Sequence, residues 1–383
     1  VWYWGLVKDQ LLVDDAIEKG VAQALAGLPS NADDRAKVEA IYEHVIRSTR
    51  YVGLEFGIHG YKPYRTTDIY NRRFGDCKDK ASLLKVMLGL VGIEAHLVLV
   101  RTRDQGRIGE QPASLSAFNH AIVYVPSLDL FMDGTAEHSG AFELPAGDQG
   151  ASVVVIEDGK GASFRTIPYS TPDQNVEDFT LEVALAADGH ADVDYAMLLT
   201  GADSAAWRST LEAPDHRKEQ ITKLFGGLFP GTTVSSLATP GIDDRRAPVR
   251  VDVELRVPAW ATPQDGALRW RTLGYEAALV RALAAQPTRE HPLELGVPSR
   301  EQRHIRYTLP RGYEFATLPT NVRIDSPFGH FELQVVRAGA SASVETVYEL
   351  RVPRVEPADY SEFREFLGEI DRALAQAFEA KPA

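Results

Sequence analysis

Three residues of this chain, Cys77, His120 and Asp133, carry a thiol, an imidazole and a carboxylate. Cys77 is the only cysteine among 383 residues. A thiolate can attack a carbonyl carbon, an imidazole can hold the thiolate and move a proton, and a carboxylate can fix the imidazole tautomer. If folding brings the three side chains together, the sequence predicts acyl transfer through a thioester intermediate.

Cys77 lies where a glycine-containing loop meets an apolar helical pattern. Asp76 or the turn at Gly75 is the expected cap, which places Cys77 in the first turn. There the free backbone N–H groups and the positive end of the helix dipole favour a thiolate. The alternative is a small buried cysteine that only fills the core. The apolar residues that follow recur at helical spacing: Leu83, Leu84, Met87, Leu88 and Val91.

His120 and Asp133 are expected on one β-hairpin, with strands over residues 118–125 and 128–133. With a two-residue turn, His120 lies directly opposite Asp133. With a four-residue turn, His120 faces Thr135 and Asp133 is its diagonal neighbour. Side chains alternate along a strand, so both registers keep His120 and Asp133 on one face. The alternative is an exposed histidine near a turn carboxylate.

Other patterns before residue 150 predict the elements that position these groups. An amphipathic helix begins near Ser30-Asn31, and residues 94–102 read as a strand inside a sheet. Residues 57–64 form a Gly/Pro/aromatic loop, which is either a substrate wall or a plain connection. Residues 103–116 form a polar surface loop that could wall off the acyl-enzyme from water.

Charge and composition exclude several partners. The formal net charge of −13 argues against nucleic acid or an anionic membrane surface. No apolar run is long enough to cross a bilayer. The sequence contains no metal-ligand spacing and no glycine-rich loop that would bind phosphate, so neither a metal nor another cofactor is implied. The chain starts at Val1 without a signal peptide. Its opening aromatic residues are either docking residues for an upstream β-rich domain or a hydrophobic end packed on this chain.

The sequence becomes β-rich after about residue 150, and we expect a sandwich-like accessory domain that binds substrate or positions the core. Strict alternation over residues 249–257 predicts the clearest strand. Helices are expected over residues 203–225, split at Pro214, and over residues 275–285. A long amphipathic helix is expected from about Pro357 to beyond Phe378. Further strands are expected near residues 179–185, 305–309, 331–336 and 344–352.

Short motifs around the three candidate residues, in this order, resemble the transglutaminase-like (papain-like) superfamily. They are Phe-Gly-Asp-Cys-Lys-Asp-Lys-Ala around Cys77, Phe-Asn-His-Ala-Ile-Val around His120 and Phe-Met-Asp-Gly-Thr around Asp133. Gly-Ile-Glu-Ala at residues 92–95 and Tyr-Val-Gly-Leu-Glu at residues 51–55 also fit. Many relatives have Asp-Pro-Thr where this chain has Asp-Gly-Thr. The resemblance covers residues 30–140 strongly and points to bacterial proteins with flanking β-rich domains of unknown function.

The resemblance implies an α+β fold, in which a helix-borne cysteine packs on an antiparallel sheet. Residues 1–150 would form this core, and residues 151–383 the β-rich domain with helical insertions and a C-terminal helix. Cys77 would be the nucleophile, His120 the base and Asp133 the orienting acid. The Cys77 backbone N–H and a donor from an upstream segment, for which residues 60–64 are a candidate, would form the oxyanion hole.

The implied activity is cysteine-dependent acyl transfer on a peptide or protein amide, as a protease, amidase or transamidase. Water and an amine remain alternative acyl acceptors. The competing hypothesis is a non-catalytic binding or scaffold module that keeps the fold, although such a module has no need of all three residue types. Relatives of this kind are commonly exported in bacteria, which implies the periplasm.

Overall fold

The computed structural model describes residues 1–108 and 114–383, which form two compact units, residues 1–169 and 170–383. The boundary expected at residue 150 falls inside the first unit. The reason is that residues 152–156 and 162–166 form two further strands of the first unit's sheet. Within the described part of the chain, every helix is too short or too polar to cross a bilayer.

The first unit begins with helices that follow the predicted apolar stripes. Asp33 caps the third helix by accepting a hydrogen bond from the Ala36 N–H at 2.8 Å. The apolar stripe of that helix, which includes Ile41 and Tyr42, is buried as predicted. Tyr3 and Val7 pack into the same core. The helices are α1 (Trp2–Val7), α2 (Asp15–Leu25), α3 (Asp34–Ser48), α4 (Thr66–Arg72) and α5 (Cys77–Gly89).

A five-stranded antiparallel sheet supports these helices. Its strand order is β5-β4-β3-β6-β7, and α5 packs against β4 and β3. The predicted strand at residues 94–102 is β3, and its central residues are buried, as expected for a strand inside a sheet. A separate parallel pair joins β1 to β2 just before α5. The strands are β1 (Arg50–Tyr51), β2 (Phe74–Gly75), β3 (His96–Arg101), β4 (His120–Val125), β5 (Leu130–Met132), β6 (Ser152–Ile156) and β7 (Ala162–Thr166).

The second unit is built on an eight-stranded sheet of order β10-β11-β9-β8-β15-β19-β18-β17. Neighbouring strands are antiparallel except β8 and β15, which are parallel. Strand β11 covers residues 249–257 and buries alternate residues as predicted. The strands of this sheet are β8 (Val176–Leu185), β9 (Ala191–Leu199), β10 (Thr233–Ala238), β11 (Val249–Val257), β15 (Ser299–Thr308), β17 (Val322–Ser326), β18 (Gly329–Ala338) and β19 (Ser341–Leu350).

A four-stranded sheet of order β12-β13-β21-β16 shares one core with the larger sheet. The rings of Trp270 and Phe378, from the smaller sheet, lie 5.5 and 5.2 Å from that of Tyr307 on the larger one. This contact produces the sandwich-like arrangement expected from the sequence. The remaining strands are β12 (Thr262–Gln264), β13 (Ala267–Arg271), β14 (Leu293–Glu294), β16 (Tyr313–Thr317), β20 (Arg354–Val355) and β21 (Ala377–Pro382).

Two predicted helices of the second unit are shorter than expected. The last helix ends at Leu374, and Phe378 lies on strand β21, where it pairs with Trp270. The helix expected over residues 275–285 covers only Leu279–Leu283. Phe378 is buried on a strand, and Ala284 is buried in the loop just after the short helix. Helical spacing alone did not distinguish these positions from positions on a helix. The helices are α6 (Ala202–Thr210), α7 (Arg217–Leu228), α8 (Leu279–Leu283) and α9 (Tyr360–Leu374).

Candidate active site

Cys77 is the first residue of helix α5, as predicted from the apolar spacing. Asp76 is the N-cap, and it forms a capping box with Asp79, in which each side chain accepts a hydrogen bond from the other residue's backbone N–H. Lys78 forms a buried ion pair with Asp76. The thiol is therefore fixed at the positive end of a well-capped helix, although only 8% of the residue is exposed.

Asp79 also ties the nucleophile helix to the segments before it. Its Oδ1 accepts a hydrogen bond from the Tyr64 N–H at 2.9 Å, and its Oδ2 pairs with Arg72 Nη2 at 2.8 Å. A Cβ on Gly75 would lie 2.6 Å from the Asp79 Cβ, so a larger residue there would push this carboxylate away. The position of Cys77 thus depends on a close backbone approach at Gly75.

His120 and Asp133 lie together, and the hairpin takes the longer of the two predicted turns. Val125 pairs with Leu130, so residues 126–129 form a four-residue turn, in which Asp129 adopts φ 46°. Strand β5 ends at Met132, just before Asp133. The His120 Nε2 is 3.2 Å from the Asp133 Oδ2, and His120 and Cys77 line the same cavity. The structure therefore brings together all three residues singled out in the sequence.

Two residues hold Asp133 in place. The Thr135 N–H and hydroxyl both donate to its Oδ1, at 2.8 and 2.7 Å, which leaves Oδ2 for His120. The buried hydroxyl of Tyr42 on α3 donates to the Asp133 backbone carbonyl at 3.0 Å. Tyr42 lies on the amphipathic helix expected after Ser30-Asn31, but helical spacing shows burial and not the partner of a hydroxyl.

The electrostatics of the site favour a charged imidazole. Burial alone would lower the pKa of His120. Hydrogen bonds to Asp133 and Cys77, with the negative charges of Asp133 and Asp148, outweigh burial and raise the pKa to about 11. Burial would raise the pKa of Asp133, but its hydrogen bonds from His120 and Thr135 and the charge of His120 lower it. At neutral pH the pair is thus an imidazolium and a carboxylate.

A cavity of about 290 Å³ opens onto the thiol and the imidazole. Gly60 and Tyr61 line it, so part of the loop at residues 57–64, for which a substrate wall and a plain connection were the alternatives, faces the site. An apolar groove of about 750 Å³ shares Tyr3, Tyr61 and Leu99 with this cavity. Residues 109–113 of the predicted wall loop 103–116 lie outside the described residues. The cavity is lined by Tyr3, Glu55, Gly60, Tyr61, Cys77, Lys78, Leu99, Leu115, Phe118, Asn119, His120 and Ala121.

A fourth polar residue, Asp148, lies beside His120 and Asp133. It was not identified as a site residue from the sequence. One imidazole nitrogen of His120 and one carboxylate oxygen each of Asp133 and Asp148 all lie within 4.8 Å of one another. These groups already interact with one another, and a cation bound at Nε2 would displace the contact between His120 and Asp133. Asp148 sits in a turn between strands, where no periodic pattern indicates burial.

Comparisons with known proteins agree with the fold. Residues 20–130 match the transglutaminase-like superfamily, and residues 275–379 match a domain of unknown function (DUF3858). A crystal structure described as a "putative protease" from Parabacteroides distasonis ATCC 8503 has the same fold, with a TM-score of 0.58 and 17% identity. The match covers 99% of this chain and 57% of that one. No curated protein matches significantly. The α+β fold with a transglutaminase-like core is thereby confirmed.

Proposed function

We propose that this chain, which carries a transglutaminase-like core, is a cysteine-dependent acyl-transfer enzyme that acts on peptide or protein amides. One observation carries the proposal: the imidazole of His120 lies 3.2 Å from the Asp133 carboxylate and lines one cavity with the Cys77 thiol. This arrangement is what a thiol nucleophile, its base and an orienting acid require. The superfamily match supports a general cysteine-protease-like function.

The proposed reaction begins with a Cys77 thiolate paired with the His120 imidazolium. The sulfur attacks the amide carbonyl carbon, and the backbone N–H of Cys77 stabilises the developing oxyanion. The C–N bond then breaks, and the leaving amine takes the proton of His120, which leaves a thioester on Cys77. Water or a second amine then attacks the thioester carbon and gives its proton to His120. The C–S bond breaks, so the acyl product leaves as a carboxylic acid or a new amide and the thiolate ion pair is restored.

Asp133 acts through His120 in this scheme. Its Oδ2 stabilises the imidazolium and keeps the ring oriented, so the other side of the ring can face the thiol. Because the carboxylate is buried, its attraction to the imidazolium is screened less than it would be in water. The acyl acceptor distinguishes the possible activities: water gives hydrolysis and an amine gives transamidation.

The direct test measures peptide-amide hydrolysis and the incorporation of a labelled primary amine by the parent chain, Cys77→Ala and His120→Ala. Cys77→Ala should abolish both activities, and His120→Ala should lower kcat/KM by about 10²- to 10⁴-fold. His216→Ala, which changes an exposed histidine on the second unit, is the matched control. Equal activity of Cys77→Ala and the parent would end the enzyme hypothesis.

The competing hypothesis of a non-catalytic binding module predicts an inert thiol. Labelling with iodoacetamide across pH separates the two, since a free thiol with a pKa of about 8.5 reacts slowly in acid. An enzyme should show stoichiometric labelling of Cys77 that persists well below that pH and slows in His120→Ala. A binding module should label slowly, and His120→Ala should leave its rate unchanged.

A further inference from the structure

We propose that Asp148 is a positioning residue of this site, which in its neutral form donates a hydrogen bond to Asp133 and keeps that carboxylate against His120. The inference rests on the proposed function for its effect on turnover, but the arrangement of the two carboxyl groups can be tested without any substrate.

The geometry requires a proton between the two acids. Asp148 is only 3% exposed, and Asp133 is 6% exposed. If both groups were ionised, two negative charges would lie within a few ångströms of each other in a water-poor environment. The buried Oδ2 of Asp148 would also lack a hydrogen-bond donor within the described part of the structure. A single shared proton removes both problems.

The proton belongs on Asp148 because the donors surround Asp133. Asp133 accepts two hydrogen bonds from Thr135 and faces the charged ring of His120. Burial, then the charge of Asp133, raises the pKa of Asp148 to about 7, although the charge of His120 opposes this shift. Asp133 and His120 are the charged groups that act on Asp148. Below neutral pH, Asp148 is therefore a hydrogen-bond donor.

The turn that carries Asp148 is held at both ends, so the backbone of Asp148 is fixed before substrate binds. The Asp148 N–H donates to the Pro145 carbonyl at 3.0 Å, and the Arg103 N–H donates to the Gly147 carbonyl at 2.9 Å. Gly150 closes the turn with φ 75°, and its N–H donates to the Ile167 carbonyl at 2.9 Å. Such fixed placement is what a residue needs to position another side chain.

The test compares Asp148→Asn with Asp148→Ala. The Asn amide can donate a hydrogen bond to Asp133 as a protonated acid does, but it cannot ionise. Near pH 6, Asp148→Ala should lose about tenfold in kcat/KM, and Asp148→Asn should regain most of that loss. The parent should lose activity above about pH 7 as Asp148 ionises, and Asp148→Asn should lack this decline. All assays contain EDTA, so adventitious divalent cations do not affect the pH profiles.

The pH profile of Cys77 alkylation gives a second readout that needs no substrate. The profile of the parent should contain an inflection near pH 7 that is missing in Asp148→Asn. If the parent hydrolyses no amide but this inflection is present, the proposed function fails and the shared proton stands. If Asp148→Asn and the parent have the same profile, or if Asn is as damaging as Ala, the proposal is overturned. The profile remains decisive if Asp148→Ala does not fold.

Discussion

The Nε2 of His120 lies 3.2 Å from the Oδ2 of Asp133, although the two residues are diagonal rather than direct neighbours across their hairpin. The direct cross-strand position belongs to Thr135, which lies beyond the end of strand β5. Thr135 instead turns back and donates twice to the other oxygen of Asp133. The two oxygens of Asp133 thus have different partners. Even a substitution that keeps the shape of this side chain should therefore disturb its contact with His120.

Asp133→Asn should be almost as damaging as Asp133→Ala. The two donors of Thr135 would hold the amide oxygen, so the amide nitrogen would face His120 and could not stabilise an imidazolium. We expect a fall of about 10²- to 10⁴-fold in kcat/KM for the amide substrate. Asp129→Asn, in the turn of the same hairpin, is the control. Near-parental activity of Asp133→Asn would show that the charge on this residue is unimportant.

Tyr42→Phe should lower both stability and activity. The change removes the hydroxyl donor of the Asp133 backbone carbonyl, which then accepts only from the Ala136 N–H at 3.3 Å, and it costs about 0.5–1.5 kcal/mol in the free energy of unfolding. Because that carbonyl belongs to the orienting acid, kcat/KM should fall as well. Tyr307→Phe is a matched control, since it removes a buried hydroxyl that donates to the Thr272 carbonyl in the second unit. A loss of activity in Tyr307→Phe equal to that in Tyr42→Phe would contradict a local role.

Gly75→Ala should disturb the nucleophile rather than the rest of the fold. The added Cβ would lie 2.6 Å from the Asp79 Cβ and would displace the carboxylate that closes the capping box. We expect a loss of about 1–3 kcal/mol in stability and slower alkylation of Cys77. Gly89→Ala, at the other end of α5 where a Cβ meets open space, serves as the comparison. Unchanged alkylation in Gly75→Ala would mean that the cap does not position the thiol.

The contribution of two titrating groups to the stability of the first unit should fall as pH rises, that of Asp148 between about pH 4 and pH 7 and that of His120 between about pH 6.5 and pH 11. The folded-state pKa values of His120, about 11, and Asp148, about 7, both lie above their ordinary values. The contribution of His120 is therefore complete below about pH 6.5 and that of Asp148 below about pH 4, and each is lost as pH rises through its folded-state pKa.

Hydrogen exchange of strand β3, corrected for the intrinsic rate, can measure this effect. From about pH 6 to about pH 9, the parent should lose on the order of 4 kcal/mol more than the double variant His120→Asn/Asp148→Asn. The double variant is the reference because neither of its amides titrates. Parallel profiles for the two proteins would contradict the assigned pKa shifts.

The sequence was informative wherever burial follows a regular period. Helix α5 and the hairpin of His120 and Asp133 were predicted because apolar spacing reports which side of an element is buried. The same spacing placed Phe378 on a helix, since one buried aromatic residue fits either a helix or a strand. The length of the hairpin turn was left open by the sequence, and the structure gives four residues.

The residues that the sequence did not reveal act through single contacts at long range. Asp148 reaches the site from a turn, and Tyr3, one of the opening aromatic residues for which packing on this chain was one of two alternatives, lines the cavity from the first helix. Neither contact produces a regular spacing of residues in the sequence, because each depends on how segments distant in the chain pack together. Local pattern therefore located the three candidate residues but not the groups that surround them.

The four-residue turn at residues 126–129 determines which face of the hairpin carries Asp133, so an odd and an even change in turn length should have different effects. Adding or removing one residue there would rotate the returning strand by half a period, so the side chain of Asp133 would leave the face that His120 occupies. A change of two residues would shift the acid along the strand but keep it on the same face. Natural or engineered length variation in this turn should therefore be tolerated only in pairs.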